Sequence, residues 1–418
     1  MPRKAKKEED NVLPDFNIGL VGHVDHGKTT LVKALSGKWT DTHSEEIKRG
    51  ITIKLGYADT TIYACPKCKP PYNYTIKKKC PTCNSNAVPE RIVSFIDAPG
   101  HESLMATMLS GATIMDGALL LVAANEPCPQ PQTREHIMAL EIIGIDKVLV
   151  IQNKIDIVSE EDARKNYEQI KSFLKGTKFE DAPILPLSAQ HEVNIDVLLS
   201  EFQKVFTPPK RDRTKSPLMF VARSFDTNRP GIDPEKMAAG VLGGSMKQGV
   251  LKVGDHIEIR PGRGVEEHNQ KVWKPIHTRI AELITGGSKV SEVGPGGSFG
   301  LLTELDSAVV KSDALTGTVV GHVGLLPPVL SEFTLQTHLL DRVVGSKEDL
   351  KVEPIKIGES LMLNVYSSAT VGIVTKVSKE GVTMKLKLPV CADSEARVTI
   401  SRVVGNRFRL IGYGLIQD

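Results

Sequence analysis

Apolar and polar positions in the first half of the chain form two alternating kinds of segment. Short, nearly all-apolar runs include residues 117–122 and 147–151, and helix-like segments such as 133–143 and 160–175 lie between such runs. Apolar runs of this length suit parallel strands that are buried on both faces. The alternation therefore predicts an α/β sheet whose strands are connected by crossover helices.

The pattern changes near residue 207. Residues 207–217 are rich in proline and charge and show no periodicity, which predicts a linker. Beyond it, short alternating runs broken by glycine, such as 253–259 and 296–302, predict β-barrels or β-sandwiches. We expect a flexible tail over residues 1–15, an α/β domain at 16–207, a linker at 208–217, and two β domains at 218–327 and 328–418.

Composition narrows the class of protein. The chain has 418 residues, of which 40% are hydrophobic and 25% charged, as in ordinary soluble domains. No apolar stretch is long enough to span a membrane, and the charged run at residues 1–10 lacks the apolar core of a secretory signal. That run is expected to be a frayed tail rather than an arm for nucleic acid. The net charge of +3 does not decide whether nucleic acid is a partner.

A phosphate-binding loop follows the first predicted strand. Gly22-His23-Val24-Asp25-His26-Gly27-Lys28-Thr29 matches Gly-x-x-x-x-Gly-Lys-Ser/Thr and precedes a predicted helix over residues 30–36. Glycine lets backbone N–H groups surround phosphate oxygens, and the helix N-terminus adds positive potential. Lys28 is expected to reach the outer phosphates and the Thr29 hydroxyl to bind Mg²⁺. The flanking strand and helix argue against a chance turn.

A second loop distinguishes guanine from adenine. Asn153-Lys154-Ile155-Asp156 directly follows an apolar run, which places it at the carboxyl edge of the sheet. A carboxylate at Asp156 can accept from guanine N1–H and N2–H₂, a pair of donors that adenine lacks. Lys154 can lie against the base, and Asn153 can join the base to the phosphate loop. Backbone N–H groups of Ser188-Ala189-Gln190 could bind guanine O6. The two loops together predict GTP and GDP as ligands.

A third loop has the residues of a γ-phosphate sensor. Asp97-Ala98-Pro99-Gly100 also ends a predicted strand. The Asp97 carboxylate suits an outer contact to Mg²⁺, and the Gly100 N–H can donate to the γ-phosphate. His101 is placed to orient an attacking water, although a surface histidine is the alternative. A threonine hydroxyl within residues 49–53 can complete the Mg²⁺ shell. The implied reaction is hydrolysis of GTP by water.

Four of the six cysteines form two close pairs, Cys65-x-x-Cys68 and Cys80-x-x-Cys83, separated by eleven residues. Two such turns can supply the tetrahedral four-sulfur site that Zn²⁺ prefers. We expect a structural zinc knuckle over residues 65–83, because the intervening segment is too short and polar to form a core. Redox chemistry is the alternative. Five nearby lysines also leave a nucleic-acid role open, although a solvated knuckle is favoured.

These motifs together resemble the translational GTPases of the elongation factor Tu group. The His-Val-Asp-His core of the phosphate loop, Arg-Gly-Ile-Thr at residues 49–52 and Pro-Gly-His at residues 99–101 carry the resemblance, with residues 249–255 matching the second-domain signature. The resemblance implies an α/β P-loop GTPase domain followed by two β-barrel domains. It also implies site residues for GTP (Gly22, Val24, Asp25, His26, Gly27, Lys28, Thr29, Thr30, Gly100, Asn153, Lys154, Asp156, Ser188, Ala189 and Gln190), for Mg²⁺ (Asp25, Thr29, Gly50, Thr52 and, more remotely, Asp97) and for catalysis (His101).

Three features resemble the gamma-subunit family of archaeal translation initiation factor 2 within this group: the cysteine insertion, residues 223–231 and residues 241–245. This resemblance implies a cytoplasmic GTPase that carries methionylated initiator tRNA to the small ribosomal subunit. It implies alpha and beta subunits as partners, with the alpha subunit on the second domain near residues 226–231 and the beta subunit on the GTPase domain. A carrier of another aminoacyl-tRNA and a scaffold with a structural nucleotide remain alternatives.

Overall fold

The computed structural model describes residues 14–40, 52–101, 104–228, 239–268, 270–343, 350–405 and 407–417. Residues 1–13 of the expected tail, Gly50 and residues 229–231 of the segment 226–231 lie outside these ranges. In the described part of the chain no helix has the length and apolar character needed to cross a membrane.

An α/β domain forms the first half of the molecule around a seven-stranded sheet of order β3-β2-β4-β1-β5-β6-β7. Strands β4, β1, β5, β6 and β7 are parallel, whereas β2 runs antiparallel to both of its neighbours. Every residue of β1, β5 and β6 is buried, as the all-apolar runs predict. The strands are β1 (Phe16–Gly22), β2 (Gly56–Ala64), β3 (Tyr74–Thr75), β4 (Val88–Asp97), β5 (Gly117–Ala123), β6 (Val148–Asn153) and β7 (Ile184–Pro186).

Helices cover both faces of this sheet, and two apolar clusters lie between the layers. The helices are α1 (Lys28–Ser36), α2 (Met105–Ala112), α3 (Pro131–Ile143), α4 (Glu160–Leu174) and α5 (Ile195–Val205). Local sequence explains several of their ends: Pro131 opens α3, Ser159 caps α4 by accepting from the Asp162 N–H, and Gly37 and Gly144 end α1 and α3 in the left-handed conformation.

The first barrel follows residues 207–217, which contain no helix or strand. Six of its strands close in the order β11-β16-β8-β9-β15-β12, because β11 also pairs with β12. The strands are β8 (Leu218–Phe225), β9 (Val241–Gln248), β10 (Leu251–Lys252), β11 (His256–Glu267), β12 (Gln270–Thr285), β13 (Ser288–Val290), β14 (Glu292–Val293), β15 (Ser298–Thr303) and β16 (Val319–His322), with a short helix α6 (Ser307–Val310) before β16.

The second barrel is a closed ring of order β17-β20-β19-β18-β21-β22. Its strands are β17 (Val329–Leu339), β18 (Ser360–Val365), β19 (Ser368–Val377), β20 (Val382–Cys391), β21 (Arg397–Val404) and β22 (Arg407–Ile416). The expectation of an α/β domain followed by two β-barrels is therefore confirmed.

Buried polar contacts hold the three parts together. The Asn17 side-chain amide in β1 donates to the Ser245 hydroxyl (3.0 Å) and the Gly296 carbonyl (3.1 Å) of the first barrel. On the other side, Arg409 of the second barrel donates to Glu135 of α3 at 2.5 Å, and both side chains are largely buried. The α/β domain and the two barrels are therefore joined into one connected framework.

Candidate nucleotide site

Three predicted loops meet at one edge of the parallel sheet. β1 ends at Gly22, β4 ends at Asp97 and β6 ends at Asn153. β4 and β5 both pair with β1, and β6 lies beside β5, so the carboxyl ends of these strands are close neighbours. Ligands of open α/β sheets bind outside such carboxyl ends.

The phosphate loop is held in shape by its backbone and by Asn153. Gly27 has φ +89°, and a Cβ at this position would lie 2.3 Å from Asn153 Nδ2, so no other residue fits there without a shift. Asn153 Nδ2 donates to the His26 carbonyl at 2.9 Å, which joins the base loop to the phosphate loop as expected. Lys28 Nζ donates to the carbonyls of Gly22 (3.1 Å) and His23 (2.8 Å), so its ammonium group lies across the loop.

Histidines support the phosphate loop from behind. The Gly22 N–H donates to His136 Nδ1 at 2.8 Å. The His26 ring contacts the Leu121 carbonyl at 2.9 Å and Glu126 at 3.3 Å, and its side chain is fully buried. Gly22 and His26 were both expected at the nucleotide, but the Gly22 amide and the His26 ring face the protein interior. Either residue can contribute to a nucleotide contact only through its remaining backbone atoms.

Burial sets the charge of these histidines. Burial lowers the pKa of His136 to about 3, with a further contribution from the Lys28 ammonium nearby. Burial also lowers the pKa of His26, against the opposing effects of the Leu121 carbonyl and Glu126. His136 is therefore neutral at pH 7, and its Nδ1 can accept the Gly22 amide proton permanently.

The expected Mg²⁺ ligands have suitable spacing. The hydroxyls of Thr29 and Thr52 lie 3.2 Å apart, and Thr29 donates to the buried Asp97 carboxylate at 2.7 Å. Adjacent ligands of an octahedral Mg²⁺ with bonds of about 2.1 Å are about 3.0 Å apart. The oxygen donor set and its spacing thus fit this ion. Asp25 borders the same cavity, whereas Gly50 lies outside the described residues.

The base loop is also hydrogen-bonded internally. The Ala189 N–H donates to Asn153 Oδ1 at 3.0 Å, so this amide orients Asn153 rather than pointing freely toward a base. A hydrogen bond from Ser188 lowers the pKa of Asp156 below its usual range, and the carboxylate stays ionised at neutral pH. Gln190 is exposed at the end of this loop. An ionised Asp156 is the form that can accept two guanine donors.

A cavity of about 540 Å³ runs along these loops. It contains the sequence-predicted residues Val24, Asp25, Gly27, Lys28, Thr29, Thr30, Thr52, Gly100, His101 and Lys154. The lining does not include five predicted residues of the base loops: Asn153, Asp156, Ser188, Ala189 and Gln190. Asn153 is nevertheless hydrogen-bonded to the phosphate loop, which does line the cavity. A Cβ on Gly100 would lie 2.4 Å from Lys28 Nζ, so the sensor loop touches the phosphate loop directly.

Comparison with known proteins connects this geometry to a family. Residues 14–208 match the model described as "Elongation factor Tu GTP binding domain", and residues 331–416 match "Initiation factor eIF2 gamma, C terminal". Translation initiation factor 2 subunit gamma of Methanothermobacter thermautotrophicus is 58% identical over 96% of this chain and 99% of its own length. The protein of the same name from Methanocaldococcus jannaschii is 57% identical over 99% of this chain and 100% of its own length. The chain belongs to the gamma-subunit family of archaeal translation initiation factor 2.

Solved structures support the fold of this gamma-subunit family member. A bacterial selenocysteine-specific elongation factor, EF-Sec, superposes with a TM-score of 0.72 at 24% identity, over 96% of this chain but only 58% of that longer protein. Elongation factor SELB from Methanococcus maripaludis, solved with the GTP analogue GppNHp, gives 0.71 at 21% identity over 97% of this chain and 80% of that protein. These structures show the fold alone, whereas the relatives and the matching GTP-binding model show that the chain is a translation-initiation GTPase subunit and a GTP hydrolase.

The four predicted zinc ligands converge. Their sulfur atoms all lie within 4.8 Å of one another, with Cys65–Cys83 at 3.4 Å and Cys68–Cys80 at 3.7 Å. A tetrahedral site with Zn–S bonds of about 2.3 Å has sulfurs about 3.8 Å apart. The cluster therefore fits a four-sulfur Zn²⁺ site.

Two residues of this gamma-subunit site escaped the sequence analysis. His136 lies more than a hundred residues from the loop it supports, and nothing in its local sequence marks it as a partner of Gly22. Trp39 borders the nucleotide cavity with half of its surface exposed, and Lys33 Nζ lies 5.5 Å from its ring. The sequence does give a signal for Trp39: tryptophan is rare in this chain, which has two, and Trp39 directly follows the helix of the phosphate loop.

Proposed function

We propose that this chain binds methionylated initiator tRNA in its GTP-bound form and delivers it to the small ribosomal subunit in the cytoplasm. In this proposal it is the core of a heterotrimer, with the alpha subunit on the first barrel and the beta subunit on the α/β domain. The relatives named subunit gamma support membership of a multi-subunit factor. GTP hydrolysis would then act as the release step.

The proposed roles in hydrolysis follow from the loops. Lys28 binds the outer phosphates, Asp156 reads guanine, and the Thr29 and Thr52 hydroxyls would hold Mg²⁺. The ion would supply positive charge to the phosphate oxygens where negative charge develops. His101, beside Gly100 at the cavity edge, orients the attacking water. His101→Ala should slow hydrolysis at least about tenfold while changing GTP affinity little, and a parallel loss of affinity would instead assign His101 to binding.

The observation that carries the tRNA proposal is a second cavity between the α/β domain and the first barrel. Its volume is about 510 Å³, and Tyr57, Phe225 and Phe299 contribute aromatic walls. Gly243 and Gly300 form part of its lining without side chains. A largely apolar cavity with a few polar groups suits a small apolar side chain such as that of methionine, attached to a longer polar molecule.

The direct test is tRNA binding at fixed salt, because phosphate contacts make such affinities salt-dependent. Methionylated initiator and elongator tRNAs would compete for the chain, alone and with the alpha subunit, in GppNHp and then in GDP. We expect the chain to prefer the initiator tRNA in GppNHp and to lose this preference in GDP. Equal binding of both tRNAs would favour an elongation-type carrier, and binding independent of nucleotide would favour a scaffold.

A cavity-filling variant tests where the methionyl group lies. A Cβ on Gly243 would be 3.7 Å from Arg223 Cβ and Phe225 Cε1, which is ordinary contact, so Gly243→Val should fold and occupy the cavity. We expect it to weaken methionylated tRNA binding much more than deacylated tRNA binding, with GTP affinity unchanged. An equal effect on both tRNAs would place the methionyl group elsewhere. Gly244 is unsuitable, since its Cβ would lie 1.9 Å from the Phe220 carbonyl oxygen.

A further inference from the structure

A half-buried carboxylate joins the segment after Thr52 to the first barrel. Asp313 forms an ion pair with Lys54 through one oxygen. Its other oxygen accepts from Arg223 Nε at 3.0 Å and from the Ser224 N–H at 3.1 Å. The Asp313 and Arg223 side chains are each 18% exposed, so water screens the contact between them less than the contact with Lys54, which is 36% exposed. One carboxylate thus contacts both the α/β domain and strand β8.

Residues 52–55 connect this carboxylate to both phosphate-sensing elements. The Thr52 hydroxyl lies 3.2 Å from that of Thr29 at the candidate Mg²⁺ site. The buried Leu55 side chain packs against Gly111 of α2, the helix that follows the His101 loop, so closely that a Cβ there would lie 2.5 Å from Leu55 Cδ2. The Leu55 carbonyl accepts from Arg223 Nη1 at 3.2 Å. A change in the position of residues 52–55 would therefore alter the contacts of Arg223 directly.

The barrel side of the connection is fixed in place. Ser312 and Asp313 have φ values of +59° and +61°, an uncommon conformation for residues other than glycine. The Ser224 hydroxyl holds this turn by donating to the Val310 carbonyl (2.9 Å) and accepting from the Leu315 N–H (3.0 Å). Strained residues persist where surrounding contacts over-determine them, often at ligand sites. The turn therefore presents Asp313 to Lys54 and Arg223 in one orientation.

Arg223 also lines the 510 Å³ cavity, together with Tyr57. Its guanidinium is shared between Asp313 and the Leu55 carbonyl, so it lies between the segment that contacts the nucleotide site and the cavity. Burial would raise the pKa of Asp313, but Lys54 and Arg223 together hold it below its usual range, and the carboxylate is charged at neutral pH.

We propose that Asp313 is a positioning residue that couples the nucleotide-dependent state of residues 52–55 to the cavity, through Arg223. This inference rests on the proposed use of the cavity for the methionyl end of tRNA. When residues 52–55 are ordered by GTP, Lys54 and Leu55 hold Asp313 and Arg223 in the arrangement described above. When GTP is lost, that arrangement relaxes and the cavity wall at Arg223 changes.

The principal variant is Asp313→Asn, which can keep one oxygen for Arg223 and Ser224 but loses the charge that pairs with Lys54. Lys54→Met removes the same link from the other side. The matched control is Glu258→Gln, because Glu258 is a buried carboxylate of the same barrel that accepts from Arg260 Nε (2.8 Å) and the Gly324 N–H (2.9 Å) and does not contact the α/β domain through those bonds.

The measurement is the ratio of the Kd for methionylated initiator tRNA in GDP to that in GppNHp. Asp313→Asn should lower this ratio about 5- to 10-fold, within the usual range of coupling between sites. Lys54→Met should have a similar effect, and the double variant should be no worse than either single variant, since both remove one link. Glu258→Gln should leave the ratio unchanged within about twofold, even if its melting temperature falls. Where the ratio of the unaltered chain depends on nucleotide, an unchanged ratio in Asp313→Asn would overturn the proposal.

A second readout does not depend on tRNA. The Ser224 amide donates to Asp313, so its hydrogen exchange should differ between the GDP and GppNHp forms of the unaltered chain and become the same in Asp313→Asn. If exchange responds in this way but tRNA binding does not depend on nucleotide, the coupling stands and the proposed function fails. If tRNA binding depends on nucleotide while Ser224 exchange does not, the proposed function stands and the Asp313 coupling is overturned.

Discussion

The buried His136 side chain makes the stability of the α/β domain depend on pH. Burial lowers its pKa from 6.5 to about 3 in the folded chain, whereas the unfolded chain keeps a value near 6.5. Below pH 6.5 the unfolded state therefore binds a proton that the folded state does not. Stability from this residue is fully present above pH 6.5 and is lost as the pH falls toward 3.

The magnitude follows from the two pKa values. Protonation of the unfolded state between pH 7 and pH 5 lowers the free energy of unfolding by about 2 kcal/mol, or about 1.4 kcal/mol for each pH unit once the pH is well below 6.5. His136→Asn removes the titrating group and places an amide oxygen near the position of Nδ1, where it can still accept the Gly22 N–H. His136→Ala removes the acceptor, and leaving the buried amide unpaired costs about 1–3 kcal/mol more.

The assay is urea unfolding of the three proteins without nucleotide at pH 7 and pH 5, with equal denaturant slopes as the condition for comparison. Buried His26, whose pKa is also lowered, contributes to all three proteins, so the difference between unaltered chain and His136→Asn isolates His136. The unaltered chain should lose about 2 kcal/mol more than His136→Asn between these pH values. An equal loss in both proteins would refute the assignment of a neutral, permanently accepting His136.

Three further outcomes are expected. Cys80→Ser should lower bound zinc from one ion per chain and raise hydrogen exchange throughout residues 65–83, measured by metal analysis and mass spectrometry; full protection without metal would contradict a structural zinc site. Asp156→Asn should weaken GTP binding by at least about 100-fold and improve binding of xanthosine triphosphate, whose C2 carbonyl can accept from the new amide; calorimetry with both nucleotides decides this. Glu135→Ala should lower the free energy of unfolding by about 3–5 kcal/mol, because it removes the carboxylate from a buried ion pair with Arg409, whereas Glu160→Ala in an exposed pair should cost less than about 1 kcal/mol.

Contiguous motifs explain how much of the site could be predicted from sequence. Lys28, Thr29 and Asn153 each belong to a run whose chemistry depends on neighbouring residues, and each run ends a strand of a parallel sheet. Once the strands were recognised from their all-apolar runs, the sheet topology required these loops to lie at one edge. The cysteine pairs were equally easy to interpret, because four cysteines at this spacing have few roles other than binding a metal ion. The barrels followed from short alternating runs in the same way.

Contacts across long sequence separations were not predictable. His136 accepts from Gly22 over 114 positions, and Asp313 pairs with Lys54 over 259 positions. Neither residue has a local pattern that differs from an ordinary helix or turn residue. The His26 side chain shows the opposite difficulty: its motif suggested the nucleotide, yet its ring is bonded to Leu121 and Glu126 behind the loop. A motif identifies the loop but does not determine which face of it each side chain occupies.

Asn17 shows why the relation between the domains is specific although no motif encodes it. Its amide donates to the Ile114 carbonyl, 97 positions away, to Ser245, 228 positions away, and to the Gly296 carbonyl, 279 positions away. A buried amide that loses such partners is costly, so alternative placements of the barrel would leave Asn17 unsatisfied. The same packing of the first barrel against the α/β domain brings Asp313 within reach of Lys54. The spacing between nucleotide and cavity therefore depends on a few buried polar side chains, whose partners exist only once both domains have folded.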